Sequence, residues 1–589
     1  MDTVEEYCNR TQQLIADQHA EQALELTRSA LERWPMNLQL RHLHSEALEK
    51  TGQPEAAILF LTAMLETQPS LFWTAIRLVR ICLRVGKWKD AVRVYSAYIW
   101  NDITPDQYKS SVLNELYYRI PTLDAKKNFL ENLAGYDSNS LVTFRLASVF
   151  AQLGDNQSAL NLLDRNTSKE DLGDAALLKA DLLFDANRTD EALQLIKHWV
   201  QLQPDDNRYL LKLCDLLLAT NRIDEALSIF EPWFQQQPTD PLLYRKYLAI
   251  LNRLGDYSKS KDILLFCLKK WPKDWIYIFQ ANRIPLNEMD LSDFFETLRS
   301  NYQSGCFDDW CKFQYAISCL RASKIKDAIS VLSVLVDSPT VATRAKPLFD
   351  ALTHFEPEFW SENSRLNTGS DRDVHIVRVP NAVATMLVFA SWDNLVSFLP
   401  HAYVDSLLKP FPVNLIYLND NQSQAFLKGV ESLGNTETAT IARLHEIIIE
   451  LGSKNVITMG ASGGGFAAVR YGALLKANLA ISFSGPTYLD RLVKETRTSL
   501  SNPWYVVNKI WEKEEDLQKD LLPIIRSHPK TKVLHFYGQH ALTDKENAER
   551  IAQEPQVTVN PVAGVSDHWV MLHLIAQGKL PRILDENIL

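Results

Sequence analysis

The chain has 589 residues, 46% of them hydrophobic and 23% charged, with 7 cysteines and a formal net charge of -10. That length exceeds what one hydrophobic core supports, so at least two folding units are expected, and the composition is that of a globular protein rather than a disordered or fibrous one. Acidic and basic residues are interspersed with no basic stripe, which argues against nucleic-acid binding.

The opening segment MDTVEEYCNRT carries acids where a secretory leader has a basic region, and no apolar core comes after it. No apolar run reaches membrane-spanning length, so the expectation is a cytoplasmic protein with no transmembrane segment. Self-similarity then begins. Ala23, Ala57, Ala91, Ala125 and Ala159 are each 34 residues apart, and after one deletion the series continues through Ala192, Ala226, Ser260, Phe294 and Ala328. Prolines keep similar time at Pro35, Pro69 and Pro105, then at Pro204, Pro238 and Pro272, and glycines recur at Gly52, Gly86, Gly154 and Gly255.

A small residue lets two helices approach closely, a glycine turns the chain between them, and a proline ends the second helix. The segments EQALELTRSALERWP, EALQLIKHWVQLQP and EALSIFEPWFQQQP have the apolar spacing of amphipathic helices that stop at proline. The pattern resembles the tetratricopeptide repeat over residues 4 to 345, in about ten units. The resemblance implies an all-α superhelix, either with a concave face that takes a partner protein, a peptide or a glycan chain, or as a scaffold that positions or dimerises the C-terminal domain. Ser260 and Phe294 stand where alanine is expected, and the stretch from Ile284 to Cys319 predicts distorted packing near the end of the array. All cysteines precede residue 320. Cys306, Cys311 and Cys319 lack paired spacing and nearby histidines, so reduced thiols and no metal site are expected.

The repeat array is assigned to residues 1–350 and a linker to 351–372, because EPEFWSENSRLNTGSDRD is polar and loses helical period. From 373 to 589 the runs VHIVRV, TMLVFA, VNLIYL, NVITMG, LAISFS, KVLHFYG and VTVNPV alternate with helical stretches, which predicts a mostly parallel sheet in an α/β/α domain.

NVITMG runs into Gly460-Ala461-Ser462-Gly463-Gly464 and then into an apolar helix. This is GxSxG between strand and helix, the context in which a serine nucleophile sits on a tight turn and small flanking residues let the backbone close. Gly460 and Gly464 are the expected elbow glycines and Ser462 the nucleophile. The N–H of Gly463 is an expected oxyanion donor, with a second from the backbone of Ser391 or Trp392 after the strand TMLVFA. A phosphate-binding or plain turn is the competing reading of the same glycines.

The chain order of the later polar residues favours catalysis, since α/β-hydrolases carry an acid after a late strand and a histidine after the last one. Asp544 comes after KVLHFYG, and His568 after VTVNPV. Asp544 is also a candidate helix cap, Asp490 and Asp567 are rival acids, and His540 and His573 are rival bases. Between Pro503 and Pro529 an insert spaces Trp504, Val507, Ile510 and Trp511 on one face, suited to covering a site or to packing on the rest of the protein.

The residues from about 373 resemble a compact branch of the α/β-hydrolase superfamily found with bacterial surface-polysaccharide and accessory-secretion systems. The likeness rests on TMLVFASWDN, VNLIYLND, ITMGASGGGFAAVRYG and the late Asp544 and His568. It implies a Ser-His-Asp esterase or O-acetyltransferase acting on a surface glycan or its precursor, with no cofactor and with acetyl-coenzyme A as the co-substrate if the reaction is transfer. The rival is a non-catalytic scaffold whose hydrolase-like domain is degenerate, and the intact order of the three residues argues against it.

Overall fold

The computed structural model describes residues 3–134, 140–165, 173–236, 239–362, 364–366, 372–421, 424–434, 436–489 and 518–588. The chain forms two compact units, Met1–Tyr209 and Leu210–Leu589, so the later repeats belong to the same unit as the sheet.

The first unit is built of helix pairs. Val4–Ala16 begins at a capping box between Thr3 and Glu6 and pairs with Ala20–Arg33, and the pattern repeats in Leu38–Lys50 with Pro54–Thr67 and in Phe72–Arg84 with Trp88–Val94. Ala23, Ala57, Ala91, Ala159 and Ala192 have no exposed surface, as close helix approach requires. Trp88–Val94 passes into a π turn, Tyr95–Ile99, in the stretch where the proline spacing slips between Pro69 and Pro105.

The turn inside most of the pairs uses one residue with positive φ; that between Asp106–Arg119 and Leu123–Ala134 turns through Ile120 and Pro121 without one. Gly52, Gly86 and Gly154 supply it, and the same place is held by Gln18 at φ 63 and Asn187 at φ 60. The glycine rhythm is incomplete in the sequence because asparagine and glutamine fill the slot at modest strain.

In the second unit the helices continue as Ile223–Gln235, Pro241–Leu254 and Tyr257–Lys270, and Ala226 and Ser260 are fully buried. The period then breaks where irregularity was expected. Trp275–Ala281 has 7 residues against the 14 of Tyr257–Lys270, and Phe294 is buried in a longer helix, Glu288–Gln303. Cys311 and Cys319 are buried free thiols, and burial raises the pKa of both. Among the described residues no cluster of His, Cys, Asp and Glu is placed to hold a metal. After Ala342–Thr353, a short helix Pro357–Glu362 lies within the expected linker; its Trp360 is buried and donates to Leu352 O.

Among the described residues the rest of the chain supplies seven strands: β1 Val374–Val377, β2 Ala384–Phe389, β3 Val413–Leu418, β4 Asn455–Ala461, β5 Leu479–Phe483, β6 Lys532–Gly538 and β7 Val557–Val562. They form one sheet in the order β1-β3-β2-β4-β5-β6-β7, parallel except for β1 against β3. β2, β3 and β5 are buried along their whole length, as strands covered on both faces are. No helix among the described residues is long and apolar enough to cross a membrane.

Candidate active site

The strand order reverses direction at β2 and β4, since β2 leads outward to β3 and β4 leads the other way to β5. In open α/β sheets the crevice at the carboxyl ends of such strands is where ligands bind. Two segments meet there: the loop after β2, starting at Ala390, and the turn after β4, Ser462.

Ser462 adopts φ 53 and ψ -124, a region that residues with side chains rarely occupy. The backbone is pinned on both sides. Its N–H donates to Phe483 O at 2.9 Å, and its carbonyl accepts from Gly465 at 2.9 Å and from Phe466 at 3.3 Å. The flanking glycines are required by contact. A Cβ on Gly460 would strike the Gly464 carbonyl, one on Gly464 would strike the Phe389 carbonyl at the end of β2, and one on Gly463 would fall inside the Trp392 indole. Gly463 is the first residue of the helix Gly463–Leu474, so its N–H has no acceptor within that helix.

His568 precedes the helix Val570–Ala576, and its Nδ1 bonds both oxygens of Asp544, at 2.9 and 3.0 Å. Asp544 is 7% exposed and lies in the first turn of Leu542–Ile551, whose N-cap is Ala541, so it is not the cap of that helix. With Nδ1 engaged as the donor, Nε2 is the ring nitrogen left for proton transfer. Ser462 occupies the N-cap position of Gly463–Leu474 without bonding its hydroxyl to that helix. The structure thus joins Asp544 and His568 directly and sets Ser462 at the same carboxyl edge of the sheet.

The rivals are otherwise engaged. Asp567 accepts from Trp569 N and pairs with His573 Nε2 at 2.9 Å. His540 is exposed, its backbone N–H given to Val565 O. Asp490 lies outside the described residues, as do Trp504, Val507, Ile510 and Trp511 of the insert. Of the two oxyanion candidates on the loop after β2, Ser391 already gives its N–H to Leu395 O at 2.7 Å, which takes it out of that role.

Three contributors were not anticipated from the sequence. Trp392 was expected to offer only its backbone, yet its side chain packs the indole nitrogen over Gly463. Phe398 packs against Trp569 with ring centroids 4.1 Å apart and the planes tilted by 40°, and Trp569 in turn meets the His568 ring edge-on. His535 on β6 is 1% exposed, and burial holds its imidazole down at about 4 against the pull of the Asp544 charge. The tryptophan in SWDN, directly after a buried strand, was the available signal for the first; the other two had none.

Two family models, both described as tetratricopeptide repeat, match residues 144–207 and 183–251. The chain contains tetratricopeptide repeats. Repeats of this class commonly present a surface for protein interaction. Among solved structures, the TPR domain of P58(IPK) aligns at 13% identity over 59% of this chain and 97% of its own, with a TM-score of 0.19. The Naa15/Naa10 complex bound to HypK-THB aligns at 11% identity over 99% of this chain and 79% of that one, with a TM-score of 0.30. No curated protein matches the chain.

Proposed function

We propose that the sheet domain is a serine-dependent acyl-transfer enzyme, an esterase or O-acetyltransferase of α/β-hydrolase type, and that the TPR repeats dock a partner protein or the polymer it acts on. The observation that carries this reading is the His568–Asp544 bond, on the sheet edge where Ser462 is held in a strained turn. Backbone strain at Ser462 beside a buried acid bonded to a half-exposed histidine is the arrangement that a nucleophile and its base require.

In this mechanism Ser462 Oγ attacks the acyl carbon and its proton passes to His568 Nε2, while Asp544 stabilises the imidazolium. The carbonyl oxygen becomes an oxyanion beside the Gly463 N–H, with the Trp392 indole as the neighbouring wall. Collapse expels the first alcohol or thiol, which takes the proton from His568, and leaves acyl-Ser462. A water or a sugar hydroxyl then attacks the acyl carbon and gives its proton to His568, which returns it to Ser462 Oγ as the bond to the acyl group breaks and the acid or the acylated sugar leaves. Acetyl-coenzyme A is the donor class if the second nucleophile is a sugar, and a surface glycan is the acceptor that the family resemblance implies.

The competing reading, a scaffold with a silent hydrolase-like domain, draws on the repeats. Labelling with a fluorophosphonate separates the two. Wild type should label, and Ser462→Ala and His568→Ala should not. A folded wild type that stays unlabelled leaves the scaffold as the better account.

A further inference from the structure

A cavity opens beside the loop after β2, where the repeat series breaks. The shortened helix Trp275–Ala281 gives way to Asn282-Arg283-Ile284-Pro285, which forms one wall. Arg321, 8% exposed, donates to Ala281 O at 2.8 Å and Ile284 O at 3.2 Å. Those two bonds use two of its five N–H groups, and among the described residues no carboxylate bonds it. Arg283 lines the same space with Asp393 and Asp420 near it, neither of which is part of the lining, and Arg372 stands exposed at the rim. The cavity is open on one side and holds about 50 Å³, several times what one water needs and enough for a phosphate or carboxylate group.

The lining also holds buried polar atoms with no hydrogen-bond partner among the described residues: Asn394 Oδ1, Asn419 Oδ1 and His401 Nε2. The Asn394 amide cannot simply be turned over, because its Nδ2 donates to Arg283 O at 3.0 Å and a carbonyl only accepts. His401 is 9% exposed, and burial holds its ring neutral, with a pKa lowered to about 3. Buried polar atoms are nearly always paired, so three in one cavity flanked by arginines point to a ligand that pairs them. The required chemistry is mixed. Guanidinium groups call for anionic oxygens, and amide oxygens call for hydroxyl donors.

We infer that this cavity binds a small hydroxylated oxyanion, a sugar phosphate or sugar carboxylate, with Arg283, Arg321 and Arg372 on the anionic group and Asn394 and Asn419 on the hydroxyls. The loop that supplies Asn394 also carries Trp392 against Gly463 and Phe398 against Trp569, so this cavity and the candidate active site share a wall. The inference does not depend on Ser462 being a nucleophile.

The test is calorimetric titration of the full chain with glucose 6-phosphate, glucuronate, inorganic phosphate and glucose. A sugar bearing an anionic group should bind, more tightly than inorganic phosphate, and glucose should not; whether glucose 6-phosphate or glucuronate is the tighter identifies the anionic group. Arg372→Gln, at the exposed rim, should weaken binding about tenfold with an unchanged melting temperature. Asn419→Leu should weaken the sugar ligand and leave inorganic phosphate unaffected. Arg321→Met should abolish binding, and if it unfolds the chain the rim variant decides alone. Absence of heat with all four compounds, or binding indifferent to both Arg372→Gln and Asn419→Leu, overturns the site. Inorganic phosphate binding as tightly as glucose 6-phosphate overturns the hydroxyl half of the assignment.

Discussion

Replacing Asp544 by asparagine tests the catalytic arrangement with the least change in shape. In the native chain the carboxylate accepts from His568 Nδ1–H, which leaves the lone pair on Nε2 for the serine proton. An amide of the same size turns an N–H toward Nδ1 and favours the other tautomer, in which Nε2 carries the proton and cannot accept one. Loss of a positioned base of this kind slows acylation by about 10³ to 10⁴, or about 4 to 5.5 kcal/mol in the barrier.

Stability should fall much less. The substitution removes one charge-assisted bond, worth about 1.5–3 kcal/mol, and a negative charge in the first turn of Leu542–Ile551, worth about 0.3–1 kcal/mol. The assay is the second-order rate of fluorophosphonate labelling beside a melting curve, with Asp567→Asn as the control because that residue serves His573. Labelling of Asp544→Asn at the wild-type rate, or an equal fall in Asp567→Asn, would refute the assignment of the acid.

Gly463→Ala should place a methyl group inside the Trp392 indole, costing about 1–3 kcal/mol through overpacking and suppressing labelling more than it lowers the melting temperature; a variant as stable and as reactive as wild type would contradict the packing. In the repeats, Ala57→Leu and Ala192→Leu should each destabilise by about 1–3 kcal/mol in urea unfolding, because neither alanine has exposed surface to grow into, whereas Leu59→Ala on the exposed face should change little. Stability should fall as pH drops below the ordinary histidine range. His401 and His535 are neutral when folded, with pKa values lowered to about 3 and about 4, so the unfolded chain binds protons first, and each removes about 1.4 kcal/mol per pH unit between about pH 6.5 and its folded value. Asp393, held up at about 6 by burial, works in the opposite direction below that pH and offsets one of the two. Urea midpoints that stay flat from about pH 7 to about pH 5 would show that these rings are not buried as described.

Features written in short-range pattern were legible without coordinates. A repeat of constant length marked most of the buried alanines, because close packing of a helix pair leaves room for nothing larger at Ala23, Ala57 or Ala192; Ala125, in the same series, is only half-buried. Alternating strands and helices implied the parallel sheet. GxSxG between strand and helix located the turn at Ser462, since only that backbone geometry explains the small residues clustered around it. Turn positions were half legible: Gln18 and Asn187 adopt the left-handed conformation that the glycines announced elsewhere.

Pairings between distant segments were not legible. Three aspartates and three histidines were available, and which acid meets which ring was decided by how the helices after β6 and β7 converge, giving Asp544 to His568 and Asp567 to His573. Ser391 was a reasonable oxyanion donor by position and lost its N–H to Leu395 through the local fold of one loop. The arginine cavity had no motif at all. It forms where Arg283, Arg321, Asn394 and Asn419 are brought together, with Asn394 bonding the carbonyl of a residue 111 positions away. Periodicity records what a residue must be relative to its near neighbours; which far neighbours it meets is set by strand order and helix packing, and those are properties of the folded chain alone.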